Sequence, residues 1–262
     1  MKEVHFCHAN GFPAKVYSPI FENINSANIH SIPILGCSEN GVDQGIDSLA
    51  EELICEIEKK SDSPVVGIGH SMGGTIVFLA ATKRPDLFSD VILLEPVLWG
   101  AGRRFVMRAM KRIGLGNVGN PAVRTLKRRN HFSSMEEVRD YFSKKRIFNT
   151  MDSRCFEQYM AHGIVPYGKG FRLAIQPNLE SSLFNCQLAE FPKEAYSTKG
   201  TIVYANNSNT LFPTDVNWLK KKLIGFNFHE VDGGHMFPVE NTKVVEQLIN
   251  NILNGNLKQA NS

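Results

Sequence analysis

At 262 residues, 42% of them hydrophobic and 21% charged, the chain has the size and balance of one globular domain or of a domain carrying a large insertion. No run of about 18 apolar residues occurs, so a transmembrane helix is not expected, and because Met1 to Glu3 run straight into Val4 to His8 no targeting segment is expected either. Cys7, Cys37, Cys55, Cys155 and Cys186 are odd in number and scattered, so neither a disulfide framework nor a Cys-x-x-Cys metal site is expected, and reduced thiols in a cytoplasm are the plain expectation. The net charge of +3 hides an asymmetry: residues 100–150 hold thirteen Lys/Arg against Glu136, Glu137 and Asp140. Such a block is either a solvated helical surface or a lure for anions.

In chain order, short apolar runs alternate with helical periods. Val4 to Cys7, Ile29 to Leu35, Val65 to Gly69, Val91 to Leu94, Thr201 to Ala205 and Phe226 to Val231 read as strands, mostly without strict polar alternation, as strands buried on both faces do. Ile46, Leu49, Leu53, Ile54 and Ile57 make a helical stripe over 45–60; Thr75 to Lys83 makes a second helix, stopped by Pro85. Val244, Val245, Leu248, Ile249 and Ile252 make a third stripe near the end. This alternation predicts an α/β fold, a mostly parallel sheet of about six strands flanked by helices. The rhythm breaks between Trp99 and about Ser197. There Ser134 with Glu137 fits a capping box, and Asp152 to His162 reads as a helix ended by Gly163. Residues 1–98 and 198–262 are therefore expected to form the core, and 99–197 a mainly helical insertion.

Gly69-His70-Ser71-Met72-Gly73 lies between a predicted strand and a predicted helix. A turn that sharp needs residues almost without side chains two before and two after the serine, and it lifts the hydroxyl out at the carboxyl edge of the sheet. The helix that follows aims its N-terminal dipole at a developing oxyanion, with the Met72 amide as one donor. No Gly-Lys-Ser/Thr phosphate loop follows, so Ser71 is the candidate nucleophile.

Four stretches together resemble the α/β-hydrolase superfamily: His8-Ala9-Asn10-Gly11-Phe12-Pro13, the serine turn, Val91-Ile92-Leu93-Leu94-Glu95-Pro96, and Gly233-Gly234-His235-Met236-Phe237-Pro238. The resemblance covers most of the chain and is nearest to small capped serine hydrolases of unassigned substrate. It implies that the first stretch is an oxyanion turn, although Ala9-Asn10 separates His8 from Gly11, that the last delivers a catalytic histidine, His235, and that 99–197 is the cap. The first hairpin of that fold is missing, because the oxyanion-turn strand starts near residue 4. Where many members carry an aspartate after the next-to-last strand, this chain has Asn206, Asn207, Ser208 and Asn209. Glu95, at the end of the preceding strand, takes the alternative acid position; Asp215 is the outside candidate.

The expected chemistry is transfer of an acyl group from a small-molecule ester or related compound to water. Ser71 attacks, amides of Met72 and of Asn10 or Phe12 hold the oxyanion, and His235, oriented by Glu95, moves the proton. His8, His70 and Trp99 are expected around the substrate pocket. No metal, organic cofactor or nucleic acid is implied, and the basic block raises the prospect of an anionic substrate. Two rivals stand beside this reading: carbon–carbon bond hydrolysis or lyase chemistry on the same fold, and a catalytically impaired binding protein.

Overall fold

The computed structural model describes residues 1–37, 45–116 and 120–256. Its strands, in chain order, are β1 (Lys2–Cys7), β2 (Ala27–Ser31), β3 (Val65–His70), β4 (Phe88–Leu94), β5 (His131–Phe132), β6 (Ile164–Tyr167), β7 (Gly170–Leu173), β8 (Gly200–Ala205) and β9 (Phe226–Val231). Six of them form one sheet in the order β2-β1-β3-β4-β8-β9, every pair parallel. The predicted second strand runs past Ser31 to Leu35, but the strand stops short of it. Pro33 has no N–H to give a ladder, and the Leu35 amide instead donates to His8 Nε2 at 2.9 Å.

The α-helices of five or more residues are α1 (Ile46–Lys60), α2 (Met72–Lys83), α3 (Ala101–Arg112), α4 (Pro121–Thr125), α5 (Met135–Ser143), α6 (Ser153–His162), α7 (Pro177–Asn185), α8 (Pro213–Lys222) and α9 (Thr242–Leu253). Strand side chains alternate between two apolar layers, as a period of two requires. Val66, Ile68, Ile92 and Leu94 face the layer that contains Val245, Ile249 and Leu253 of α9. Val65, Val91 and Leu93 face the layer of Leu49, Leu53 and Ile57 from α1 and Ile76 from α2. Each such side chain, fully withdrawn from water, contributes about 1.5–3 kcal/mol, so the central strands are held from both faces.

Between β4 and β8 the chain leaves the main sheet and comes back over the serine. The expected helices are present. Ser134 Oγ accepts the Glu137 amide at 3.2 Å, and Asp152 accepts the Arg154 amide at 2.9 Å at the start of α6. The Glu137 carboxylate bonds Ser133 rather than closing the reciprocal box. An addition to the expected helices is a three-stranded antiparallel sheet, β5-β7-β6. Its hairpin turns at Gly168, which sits at φ +56°, and its strands are too short to show a period in the sequence. The aromatic residues of this stretch pack on one another and on the core: Phe148 and Tyr159 ring centres are 4.6 Å apart, Phe142 and Phe148 4.9 Å, and Phe12 and Tyr159 5.7 Å.

Candidate active site

The serine turn is as cramped as its sequence implies. A Cβ on Gly69 would lie 2.3 Å from the Gly73 carbonyl oxygen, and one on Gly73 would lie 2.2 Å from that of Cys7. Close approach of α2 to the ends of β1 and β3 is thus possible only with glycine at both positions. Ser71 itself is held at φ +56°, ψ −120°, a conformation that costs a non-glycine residue roughly 1–3 kcal/mol. Its amide donates to Leu94 O, and its carbonyl accepts from Thr75 and Val97. The residue is therefore pinned to β4 and to the first turn of its own helix.

His235 arrives from the other end of the chain. After β9, Asn207 donates its amide to the Gly233 carbonyl at 3.1 Å, and the Asn206 side chain spans Asp232 and Gly233, donating to Asp232 Oδ1 at 2.6 Å and accepting the Gly233 amide at 3.3 Å. The asparagines that stand where an acid was sought thus fasten the histidine loop. Ser71 Oγ donates to His235 Nε2 at 2.8 Å. Burial lowers the imidazole pKa to about 4, so the ring is neutral at pH 7 and free to accept a proton.

His70 was expected at the pocket, but it sits behind His235 instead. Ala9 N–H donates to Tyr17 Oη at 3.4 Å, Tyr17 O–H donates to His70 Nδ1 at 2.7 Å, and His70 Nε2–H donates to the His235 carbonyl at 2.9 Å. Burial and the neighbouring His235 push the His70 pKa down to about 3, which keeps this relay in one tautomer. Tyr17 carries no sequence signal for this task; only the folded chain brings it to His70. His8 also lies outside the pocket. Its Nδ1–H bonds Ala9 O at 2.8 Å and its Nε2 accepts from Leu35, so it clips the turn after β1 to the next loop.

The two halves of the expected oxyanion hole fare differently. Met72 opens α2, where a first-turn amide has no partner inside the helix. The Phe12 amide is taken by the Ala9 carbonyl at 3.2 Å, which removes it as a donor and leaves Asn10. The Phe12 side chain lines the pocket instead, in a cavity of about 540 Å³ that also contains Asn10, Ser71 and His235. The stretch between β4 and β8 supplies the cavity roof, including Arg124, Lys145, Phe148 and Phe184. Arg128 is tied there to Glu180 at 2.7 Å and to Tyr159 Oη at 3.0 Å. A second, smaller space of about 60 Å³ beside Ser71 is bordered by Asn10, Met72, Leu183 and Leu188. Trp99 borders neither space; it lines a separate cavity under α3.

Glu95 does not reach His235 by a hydrogen bond. β4 ends at Leu94, and Glu95, at φ +48°, donates its amide to Val203 O. This points its carboxylate at the loop after β8, where Oε2 accepts the Ala205 amide at 2.7 Å. Burial raises its pKa, opposed by the Ser208 hydroxyl and the amides of Ala205 and Leu211. Glu95 Oε1 and His235 Nδ1 are both buried without a hydrogen-bond partner. Asp215 is committed elsewhere, accepting the Gly100 amide at 2.8 Å and an Arg103 bond at 3.1 Å. Burial pushes the Cys7 thiol far above its usual range, so it offers no rival nucleophile. Among the described residues, no cluster of three or more His, Cys, Asp or Glu is arranged to hold a metal ion, and no helix is long and apolar enough to cross a membrane.

Comparison with known proteins adds the following. Residues 30–242 match the family model of the α/β-hydrolase fold. A type I acyl-CoA thioesterase of Penicillium brevicompactum is 26% identical over 176 residues, covering 59% of this chain and 38% of that protein. A peroxisomal membrane protein of Saccharomyces cerevisiae is 28% identical over 242 residues, covering 82% of this chain and 60% of that protein. The chain thus spans less than two thirds of either relative. Among solved structures, that of an E-2-(acetamidomethylene)succinate hydrolase superposes with a TM-score of 0.79 at 15% identity, covering 97% of this chain and 91% of that one. With a family match over most of its length and the strand–serine–helix turn in place, this chain belongs to the α/β-hydrolase fold family.

Proposed function

We propose that the protein is a serine hydrolase that cleaves a carboxylic ester or related acyl bond, thioesters included. The observation that carries this reading is the 2.8 Å contact between Ser71 Oγ and a neutral His235 Nε2 at a strained turn. In it, residues 1–98 and 198–262 form the hydrolase core, and 99–197 are its cap. Ser71 Oγ attacks the carbonyl carbon while His235 takes its proton, and the amides of Met72 and Asn10 receive the oxyanion. Collapse of the tetrahedral species expels the leaving group, protonated by His235. Water then repeats the attack on the acyl-enzyme with His235 as base. Glu95 is the acid in this scheme. The N–H on His235 Nδ1 and the free oxygen of Glu95 are a donor and an acceptor, each lacking the partner that the other would provide. Five free cysteines fit a reducing, cytoplasmic setting.

Ser71→Ala tests the assignment. Loss of at least about 10³-fold in ester turnover, with an unchanged melting temperature, is expected. Turnover retained in the purified variant removes Ser71 from the mechanism. The unpartnered His235 Nδ1 favours one second reading, a hydrolase-fold binding protein with impaired catalysis. A fluorophosphonate that fails to label Ser71 in the folded wild-type protein would establish it.

A further inference from the structure

Helix α3 has no buried residue. Its apolar side chains Phe105 and Val106 point to solvent, whereas Arg103, Arg104 and Met107 turn toward the body of the protein and are only part-buried. What lies beneath is a cavity of about 280 Å³ rather than a packed core. Its walls include Trp99, Arg104, Arg108, Lys111, Asn120 and Gln187, and no Asp or Glu among the described residues. Three cations therefore border one partly open space without an anion in its lining.

Their existing partners leave that charge largely uncompensated. Arg108 meets Glu190 in an exposed pair, which water screens. Arg104 donates to the Trp99 carbonyl and lies over the rings of Phe191 and Trp218, 4.5 Å and 4.8 Å from their centres, so it is held in place but not neutralised. Lys111, exposed at the rim, has no carboxylate partner among the described residues. The indole N–H of Trp99 is buried with no hydrogen-bond acceptor, an arrangement that is unfavourable unless a ligand relieves it. Gln187 and Leu188 are also walls of the small space that contains Ser71, Asn10 and Met72. The cationic cavity and the nucleophile's cavity are thus neighbours across two residues.

We propose that the cavity under α3 binds an anionic group of the substrate, a carboxylate or phosphate, while the acyl carbon of that same molecule sits at Ser71. The proposal rests on the hydrolase reading and deepens it by naming the substrate class: an acyl compound with an anion on one side of the scissile bond. A volume of about 280 Å³ accommodates such a group with several waters, each occupying about 30 Å³. Charge-assisted hydrogen bonds from Arg104 and Lys111 supply the attraction.

Two matched pairs of substrates locate the anion. A p-nitrophenyl butyrate and hemisuccinate pair carries it in the acyl part. Butyryl thioesters of N-acetylcysteamine and of 4′-phosphopantetheine carry it in the leaving group. One pair is expected to show kcat/KM at least roughly tenfold higher for its anionic member, expressed in KM. Lys111→Glu is expected to erase that ratio and Lys111→Arg to restore it. Calorimetric titration of Ser71→Ala with the preferred anionic probe reads binding without turnover, and Lys111→Glu in that background is expected to weaken it at least about tenfold. Hydrolysis of neutral and anionic members at equal kcat/KM, or a ratio unmoved by Lys111→Glu, overturns the subsite and leaves the hydrolase reading standing. Lys111-dependent binding of hemisuccinate or phosphopantetheine probes to a protein that turns over none of the four overturns the hydrolase reading and leaves the anion site standing.

Discussion

The serine turn and helix α3 are opposite ways of holding side chains in place. At the turn every position is crowded: glycines touch backbone at distances no Cβ allows, Ser71 is strained, and His235 is fixed through its carbonyl by His70. Helix α3 touches the body through a few partly exposed residues and spans a cavity. Chemistry needs reacting atoms within a few tenths of an ångström of their working positions, whereas selection of a substrate needs shaped, charged space. The first demand yields an over-determined backbone, and the second yields an under-packed one.

That contrast is tested most severely at Glu95. If its carboxylate serves the His235 imidazolium, Glu95→Gln should keep the bond from Ala205 to the side-chain oxygen and still lower kcat by about 10³–10⁴-fold, the range that loss of the triad charge produces. Circular dichroism and kcat measured on the same preparation decide it. A folded variant within tenfold of wild type takes the acid role away from Glu95 and leaves His235 working without a carboxylate.

A second test lies in the stretch between β4 and β8, which has a packed centre as well as its loose helix. Phe142 is buried and meets Phe132, Tyr141, Phe148 and Tyr159 edge-on or tilted. Phe142→Ala should cost about 3–5 kcal/mol in urea unfolding. A cost under about 1 kcal/mol would show that the whole stretch between β4 and β8, and not α3 alone, is loosely assembled.

The histidines packed around the main sheet carry a pH signature. Burial lowers the pKa of His8 to about 4, of His70 to about 3 and of His235 to about 4. A histidine with a depressed folded pKa binds its proton more readily when unfolded. Its stabilising share is therefore present above pH 6.5 and lost as pH falls toward 4, by at most about 1.4 kcal/mol per unit per histidine. The melting temperature should fall steeply between pH 6.5 and 4. His8→Asn, which removes one titrating ring, should flatten that slope, and an unchanged slope would show that His8 takes no part in it. For the same reason, the acid limb of kcat/KM should lie well below pH 6.5.

How much of this could be read before folding follows the same division. The sheet, the serine turn and the histidine loop were legible because a sharp turn, a buried strand and a helical stripe each restrict residue type at fixed spacing. Ile32 and Leu35 look like strand residues and extend the apparent second strand past Ser31, where β2 ends; Pro33 between them cannot continue the ladder. His70 neighbours Ser71 and His8 belongs to the oxyanion-turn motif, but neither position tells which side of a strand a ring faces, and both rings turn to backbone partners instead of the pocket. Tyr17, which completes the support of His235, belongs to no motif at all. The hairpin β6-β7 was hidden by its length. The position of Trp99 just past β4 points to the pocket of Ser71, yet its ring faces the neighbouring cavity, whose existence depends on how α3 crosses the body.

The smallest effect is expected at the surface of α3, and it probes whether its apolar face has a task in the isolated fold. Phe105 is 66% exposed and Ile113 70%; both lie where side chains contribute little to folding. Phe105→Ser should change unfolding free energy by no more than about 0.5 kcal/mol, since the ring leaves no cavity behind and the serine buries no polar group. Measured beside Phe142→Ala, it sets the two ends of the scale for this chain. A loss above about 1 kcal/mol would mean that Phe105 packs against something in solution, and that α3 is as firmly built as the turn that holds Ser71.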